Sequence, residues 1–198
     1  MNYLAHAYLS FGNSQVLAGN MISDFVKGKK KYEYPALIQK GITLHRAIDQ
    51  FTDEHDCTRM IKAFFRPAYQ LYAGAFADVV YDYFLANDRN EFPSPEALMY
   101  FTQHTFKQLE EQSQWHGTIF GNMFPYMKEQ NWLYNYQYEW GIQKSMEGLR
   151  RRAKHIEETD TAFRIFLTHK EEMQPVYTLF FHSVKNFAAH TMEDLLNG

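Results

Sequence analysis

The sequence predicts an all-α protein, a single-domain bundle of about eight to ten helices. Apolar side chains recur at three- and four-residue spacing along most of the 198 residues, which is the period of an amphipathic helix. Alternating β-branched runs, typical of strands, are almost absent. The chain has only 10 Gly and 6 Pro, which disfavours both a turn-rich β-barrel and disorder. No linker or repeat divides residues 1–198, so one domain is expected.

Five helices are predicted in the first half of the chain. They cover residues 2–10, 14–27, 35–55, 56–66 and 72–86. Ser14 is a candidate N-cap of the second helix, and Pro35 suits the first turn of the third, where a missing N–H group has no cost. Pro67 is expected to end the fourth helix, because proline lacks the amide that an interior turn needs.

Further helices are predicted in the second half. They cover residues 94–109, 137–154 and 160–170, with a last helix from Glu171 or Pro175 to Leu196 and an ambiguous segment at 118–130. Ser94 followed by Pro95 is a typical capped helix start. Many aromatic residues lie between Trp115 and Trp140, and we expect most of them to fill the core, while some could line a channel.

Composition and charge exclude several functional classes. The net charge of −3 argues against general nucleic-acid binding, which needs a basic surface. No apolar run approaches the ~18 residues of a membrane span, and the N-terminus lacks the basic and apolar regions of a secretory signal. The single cysteine, Cys57, excludes an internal disulfide and a multi-cysteine zinc site. We therefore expect a soluble cytoplasmic protein.

Histidine and aspartate recur at one-turn spacing in the third predicted helix. His45, Asp49 and Asp53 are four residues apart, so they form a ladder along one side of the helix. Imidazole nitrogens and carboxylate oxygens on adjacent turns can bind one metal ion. They can equally pair with each other and support the helix.

Four more titratable groups lie in apolar segments. Asp78 and Asp82 are one turn apart in the most apolar helix, where like charges destabilise unless a cation or solvent compensates. Asp24 and His6 also have apolar neighbours, although an exposed Asp24 and a core His6 are simpler interpretations. Helical bundles build metal sites from such inward-projecting groups. An oxygen-rich set without thiolates favours Mn²⁺ or Mg²⁺, with Fe²⁺ as a further option, over structural zinc.

An adjacent His-Asp pair, the signature of HD-type phosphohydrolases, occurs at His55 and Asp56. Adjacent helical residues point about 100° apart, and this pair lies beside Asp53 and Glu54 at a predicted helix end. We interpret the pair as part of a solvated acidic stretch that caps or ends a helix.

Five short motifs follow one another in the first 86 residues. They are Met1–His6, Gly19-Asn20 with Asp24-Phe25, His45–Asp49, Phe51–Asp53, and Asp78 with Asp82–Leu85. Their order and spacing closely resemble the acyl carrier protein phosphodiesterases, also called acyl carrier protein hydrolases. Beyond residue 86 the likeness is thinner.

The resemblance implies an HD-phosphohydrolase-like, metal-dependent enzyme, usually activated by manganese. It also implies hydrolysis of the phosphodiester between phosphopantetheine and a serine of holo acyl carrier protein, which yields apo acyl carrier protein and phosphopantetheine. The residues assigned to the metal shell are His6, Asp24, His45 and Asp49. Asp78 or Asp82 completes the shell or serves as general base, and Asp24 and His45 are also expected to be essential for catalysis.

Basic side chains near the predicted site are candidate binding groups. Arg46 either binds a phosphate oxygen or is a surface arginine. The resemblance implies a strongly acidic carrier protein as partner, which a local basic patch can bind. The preferred patch, a few residues after Asp24, is Lys27, Lys29, Lys30 and Lys31, and Arg150–Arg152 form a second cluster. Either cluster could instead be a solvated face.

Two other functions stay open at the level of sequence. An HD-type metallophosphohydrolase acting on a nucleotide or small phosphoester would use Arg46 and the carboxylates equally well. A catalytically silent helical protein that binds an acidic partner is the other alternative. The sequence does not indicate an oligomeric state.

Overall fold

A computed structural model describes residues 1–153 and 155–197, and all side chains within them except that of Arg152. The described residues form ten α-helices and no strand, which confirms the all-α prediction. The helices are α1 (Tyr3–Tyr8), α2 (Ser14–Ile22), α3 (Ala36–Glu54), α4 (Asp56–Tyr69), α5 (Ala73–Asn87), α6 (Pro95–Glu111), α7 (Gly117–Glu129), α8 (Trp132–Asn135), α9 (Glu139–Arg152) and α10 (Asp160–Asn197). Short 3₁₀ turns occupy Ser23–Phe25, Gly28–Glu33, Gln70–Tyr72 and Ser113–Trp115.

Helix α5 lies at the centre of the apolar core. Its side chains Phe76, Val80 and Tyr81 are completely buried, and the helix contacts α1, α4, α9 and α10. A helix that is apolar on all sides needs neighbours on all sides. Because α5 is central, its two aspartates, Asp78 and Asp82, lie close to the core rather than on an outer surface.

Helix α10 is continuous over 38 residues and packs along α3 and α4. The predicted break near residues 170–175 is therefore wrong. Pro175 removes one backbone hydrogen bond, but Met173 and Tyr177 on either side of it are buried, and this packing holds the helix together. No helix in the described segments has both the length and the apolar composition to cross a bilayer.

Other predicted helix boundaries also differ from the structure: α2 ends at Ile22 instead of residue 27, because a 3₁₀ turn at Ser23–Phe25 follows it. Asn13, not Ser14, caps α2, because the Asn13 side chain accepts a hydrogen bond from the Val16 amide at 3.0 Å. Helix α4 continues past Pro67 to Tyr69, whose buried ring and hydroxyl contacts hold the last turn. The predicted start of α6 is confirmed by its serine cap, and the ambiguous segment 118–130 is largely helix α7.

One apolar cluster extends through the fold from Met1 to Met192. The interpretation of residues 1–198 as one domain agrees with this cluster and stays a prediction. The likeness to HD phosphohydrolases also stays a prediction.

Helices α2 and α3 approach so closely that their backbones are in contact. A Cβ at Gly19 would lie 2.1 Å from the carbonyl oxygen of Ile38, and a Cβ at Gly41 would lie 2.2 Å from that of Val16. No side chain fits at either position without moving backbone. The glycines therefore set the helix separation that brings the end of α2 beside His45 of α3.

We predict that Gly41→Ala destabilises the protein by about 2–3 kcal/mol, because the added methyl group forces two backbones apart. The measurement is urea unfolding followed by circular dichroism. Gly148→Ala in α9 is the matched control, since nothing lies within 4 Å of a Cβ added there. The control should stabilise by about 0.5–1 kcal/mol. Equal unfolding midpoints for the two variants would contradict close packing at Gly41.

Candidate metal centre

The four residues predicted for the metal shell form one connected cluster. His6 comes from α1, Asp24 from the turn after α2, and His45 and Asp49 from adjacent turns of α3. Nε2 of His45 lies 3.2 Å from Oδ1 of Asp24 and 3.0 Å from Oδ2 of Asp49. Nε2 of His6 lies 3.1 Å from Oδ1 of Asp49. Side chains from three separate segments of the chain thus form one cluster.

The two imidazoles lie on the inner side of the cluster and the carboxylates on the outer side. The rings of His6 and His45 stack with their centroids 4.0 Å apart, and both residues are buried. The side chain of Asp49 is 38% exposed and that of Asp24 is 62% exposed. Solvent and ligands therefore reach the cluster from its carboxylate side.

Asn20, a residue to which the sequence assigned no role, orients His45. Its amide nitrogen donates to the His6 carbonyl and to Oγ of Ser10, both at 3.0 Å. Its oxygen, 3.2 Å from Nδ1 of His45, must then act as acceptor. Nδ1 of His45 therefore carries a hydrogen, and Nε2 faces the carboxylates. The sequence signal that could have indicated this role is the position of the Asn20 amide inside an otherwise apolar helix.

The electrostatics of the cluster favour a bound positive charge. Burial lowers the pKa of His45, but hydrogen bonds to Asp24 and Asp49 outweigh burial and raise this pKa to about 9. Burial and the neighbouring His45 lower the pKa of His6 to about 4. The hydrogen bond from His45 keeps the pKa of Asp24 below its usual value. The two carboxylates therefore favour a positive charge at Nε2 of His45.

The α-amino group of Met1 links Asp78 to the same cluster. It lies 3.1 Å from Oδ1 of Asp49 and 3.3 Å from Oδ1 of Asp78. Burial lowers the pKa of this ammonium, but the charges of Asp78 and Asp49 outweigh burial and raise it to about 11. Burial raises the pKa of Asp78 itself. Asp78 therefore borders the cluster and contacts it through the amine.

Asp82 has a different position from Asp78. It is fully buried, and its two oxygens accept hydrogen bonds from the amides of Leu4 and Ala5 at 2.8 and 3.1 Å. Burial raises the pKa of Asp82 to about 7, although these hydrogen bonds act in the opposite direction. Asp82 thus holds the first turn of α1, the helix that carries His6.

Arg46 and Asp53 point away from the cluster. The Arg46 guanidinium donates to the carbonyl of Val26 at 2.7 Å, which ties the chain after Asp24 to α3. Asp53 pairs with Nζ of Lys62 at 2.6 Å. The contact of Arg46 is structural in this conformation, and its proposed contact with phosphate stays a prediction.

The adjacent His-Asp pair lies where α3 ends and α4 begins, which agrees with the interpretation that it caps or ends a helix. Nδ1 of His55 accepts a hydrogen bond from the Cys57 amide at 3.2 Å and caps α4. Asp56 pairs with Arg59. Both residues have structural partners outside the metal cluster.

The predicted lysine patch is a turn on the surface. Lys27, Lys29 and Lys30 are exposed and Lys31 is half-buried. The lysines that form ion pairs in the described part of the chain are elsewhere, at Lys62, Lys128, Lys170 and Lys185. Arg150 and Arg151 are also exposed, at the end of α9, whereas the side chain of Arg152 lies outside the described residues. The patch is thus available to a negatively charged partner.

The donor set of His6, His45 and Asp49 fits a divalent ion. One ligand atom from each of them lies within 4.8 Å of the others, and Asp24 joins this group through its contact with His45, 3.2 Å away. Neighbouring ligands of a six-coordinate ion with bonds of about 2.1 Å lie about 3 Å apart. Imidazole and carboxylate ligands without thiolate are typical of Mn²⁺ or Fe²⁺ sites rather than structural zinc sites.

Three of the four candidate ligands, His6, Asp24 and His45, line a cavity of about 420 Å³. Asn20 and Asp78 belong to the same polar part of the lining. None of the aromatic residues between Trp115 and Trp140 lines the described cavity. Several of them, including Phe120 and Tyr136, are buried in the core, as the sequence predicted.

Comparison with known proteins identifies the family of the chain. The family model described as acyl carrier protein phosphodiesterase matches residues 1–184. A protein of Photorhabdus laumondii named acyl carrier protein phosphodiesterase is 26% identical to this chain over 181 residues, which cover 91% of each chain. A protein of the same name in Klebsiella pneumoniae is 28% identical over 188 residues, which cover 95% of this chain and 97% of the relative. The relative in Serratia proteamaculans is 33% identical over 136 residues, 69% of this chain and 70% of its own. No solved structure matches. By the family match, which spans nearly all of its length, the chain belongs to the acyl carrier protein phosphodiesterase family.

Proposed function

We propose that this protein is a cytoplasmic hydrolase that cleaves the phosphodiester between phosphopantetheine and a serine of holo acyl carrier protein. The products are apo acyl carrier protein and phosphopantetheine. The main support is a cluster of two imidazoles and two carboxylates, linked by contacts of hydrogen-bonding distance, beside a cavity that has space for an organic group. The names of the relatives agree with this substrate.

The residues that would hold a divalent ion are His6, Asp24, His45 and Asp49. We propose Mn²⁺, with Mg²⁺ and Fe²⁺ as alternatives, and when bound such an ion screens the charge of the phosphodiester and lowers the pKa of a bound water. Asn20 keeps the lone pair of His45 Nε2 directed at the site. Both carboxylates keep an exposed side, from which the phosphodiester approaches.

Asp78 is the proposed general base. It lines the cavity and is one third exposed, whereas the oxygens of Asp82 are both engaged by the amides of α1. Asp78 would take the proton of the attacking water as the new P–O bond forms. The bond from phosphorus to the serine oxygen breaks, and that oxygen regains a proton.

The lysine patch is the proposed docking surface for the acidic carrier. Lys27 follows Asp24 by three residues, so the patch lies beside the residues that line the cavity. Arg46 holds the start of this segment against α3 through the Val26 carbonyl. Exposed cations without internal acidic partners attract an acidic protein over a distance set by salt screening.

We predict that the purified protein with Mn²⁺ lowers the intact mass of holo acyl carrier protein by one phosphopantetheine, as measured by mass spectrometry. A chelator should abolish the change, and added Mn²⁺ should restore it. His45→Ala should leave the carrier mass unchanged. His55→Asn, which keeps a capping acceptor at the start of α4, should cleave normally.

An unchanged carrier mass under all metal conditions would contradict this function. Hydrolysis of nucleotides by the same sample would then support a small-phosphoester hydrolase. Absence of any hydrolysis, together with the absence of bound transition metal in the purified sample, would support a silent binding protein.

We also predict that replacing Lys29 and Lys30 together with glutamate raises KM for holo acyl carrier protein about tenfold or more at low salt, with kcat nearly unchanged. The effect should shrink at high salt, because the Debye length falls from ~10 Å at 0.1 M to ~3 Å at 1 M. Lys107→Glu with Arg164→Glu changes the net charge equally at exposed sites on α6 and α10. Equal KM values for the two double variants would rule out the lysine patch as docking surface.

A further inference from the structure

The cavity that begins at the metal cluster also has an apolar wall that the proposed chemistry does not use. Its residues come from the turn between α4 and α5, from α5, and from the end of α9 and the chain after it. They are Tyr72, Ala75, Val79, Leu149, Ala153 and Ile156. None of these side chains is charged, and the hydroxyl of Tyr72 is their single polar group. A ligand segment bound along this wall is therefore uncharged and largely apolar.

The cavity is larger than an ion and a phosphate group require. Its volume of about 420 Å³ lies within the ~300–1,000 Å³ typical of pockets for organic ligands. A water molecule takes ~30 Å³, so an ion with a few waters fills a small part of it. The remaining space accommodates an organic group attached to the phosphate.

Helix α5 contributes to both the polar part of the lining and the apolar wall. Asp78 belongs to the polar part and lies 3.3 Å from the Met1 ammonium, and Ala75 lines the cavity as well. Ala75 precedes Asp78 by three residues, so it lies on the same face of α5, about 4.5 Å along the axis. A group only a few bonds from a phosphate at the cluster therefore reaches the wall.

The wall keeps apolar surface accessible. Tyr72, Ala75, Leu149 and Ala153 are all half-buried rather than buried. The two alanines leave space between the larger side chains. A ligand that covers this surface removes apolar area from water, which favours binding.

We propose that this wall binds the pantetheine arm next to its phosphate, at the carbon that bears two methyl groups. The inference rests on the proposed function, which supplies phosphopantetheine as the substrate. In phosphopantetheine one CH₂ group separates the phosphate oxygen from this quaternary carbon, and this short separation matches the step from Asp78 to Ala75. The wall thereby selects phosphodiesters that carry branched apolar carbon close to phosphorus.

The test compares binding of phosphopantetheine with binding of inorganic phosphate to the 198-residue chain, by isothermal titration calorimetry with Mn²⁺ present. Ala75→Leu and Ala153→Leu fill the space at the wall, and Leu149→Ala removes a wall side chain without adding bulk. Ala63→Leu, at an exposed position of α4, is the matched control.

We expect the wall variants to weaken phosphopantetheine binding by about tenfold, the size expected when two methyl groups lose their burial. Phosphate binding should stay within a factor of about two of wild type, because the cluster is untouched. The control should bind both ligands as wild type does. Circular dichroism identifies a filled variant that does not fold, and Leu149→Ala then decides the question.

The same variants separate this inference from the proposed function. If wild type cleaves holo acyl carrier protein and all folded wall variants keep both KM and phosphopantetheine affinity, the wall assignment is wrong and the function stands. If wild type does not cleave the carrier, the function fails. A preference for phosphopantetheine over phosphate that the variants lose would still support the wall, and equal affinity for the two ligands would overturn it.

Carriers with an acyl chain test the alternative that this chain, and not the pantetheine arm, occupies the apolar wall. With the arm on the wall, the wall variants should lose the same factor in KM for holo carrier and for carriers with short or long acyl chains. A loss that is absent with holo carrier and grows with chain length would assign the wall to the acyl chain and overturn the proposal.

Discussion

The contact of one imidazole with two carboxylates from separate segments is the interaction on which the site depends. Nε2 of His45 faces Asp49 on its own helix and Asp24 at the end of α2. The first contact follows from four-residue spacing alone. The second exists only because Gly19 and Gly41 let α2 and α3 touch. A separation larger by one methyl group would pull the two carboxylates apart.

The charges around this contact explain why the elements of the fold converge here. Carboxylates near the core are costly unless they are paired. Asp82 is stabilised by the amides that open α1, and Asp78 by the Met1 ammonium. Each of these pairings also draws α1, which carries His6, onto α5. The same contacts that satisfy buried charge therefore assemble the candidate ligands.

The sequence predicted what depends on spacing within one helix. The ladder of His45 and Asp49, and the caps at Ser94 and His55, follow from local patterns and agree with the structure. The separation between α2 and α3 depends on two glycines in different helices, which periodicity does not relate to each other. The hydrogen bond between Asn20 and His45 also joins these two helices, so periodicity within one helix does not predict it. Pro175 lies inside a continuous helix because packing on both sides outweighs a local propensity.

The different roles of Asp78 and Asp82 also depend on contacts between helices, which spacing within one helix does not predict. Their spacing places both on one side of α5, and sequence alone leaves their roles interchangeable. The structure distinguishes them by their partners: backbone amides engage Asp82, whereas Asp78 borders a cavity. The distinction arises from α1, a six-residue helix whose Leu4 lies 78 residues before Asp82 in the chain.

The central claim is that His6, Asp24, His45 and Asp49 hold one divalent ion. The most direct measurement is Mn²⁺ binding followed by electron paramagnetic resonance, comparing wild type with His45→Ala, Asp24→Ala and His55→Asn. The account predicts saturable binding in wild type and His55→Asn, and at least about a hundredfold weaker binding in the other two variants. Equal Mn²⁺ affinity in all four proteins would contradict it.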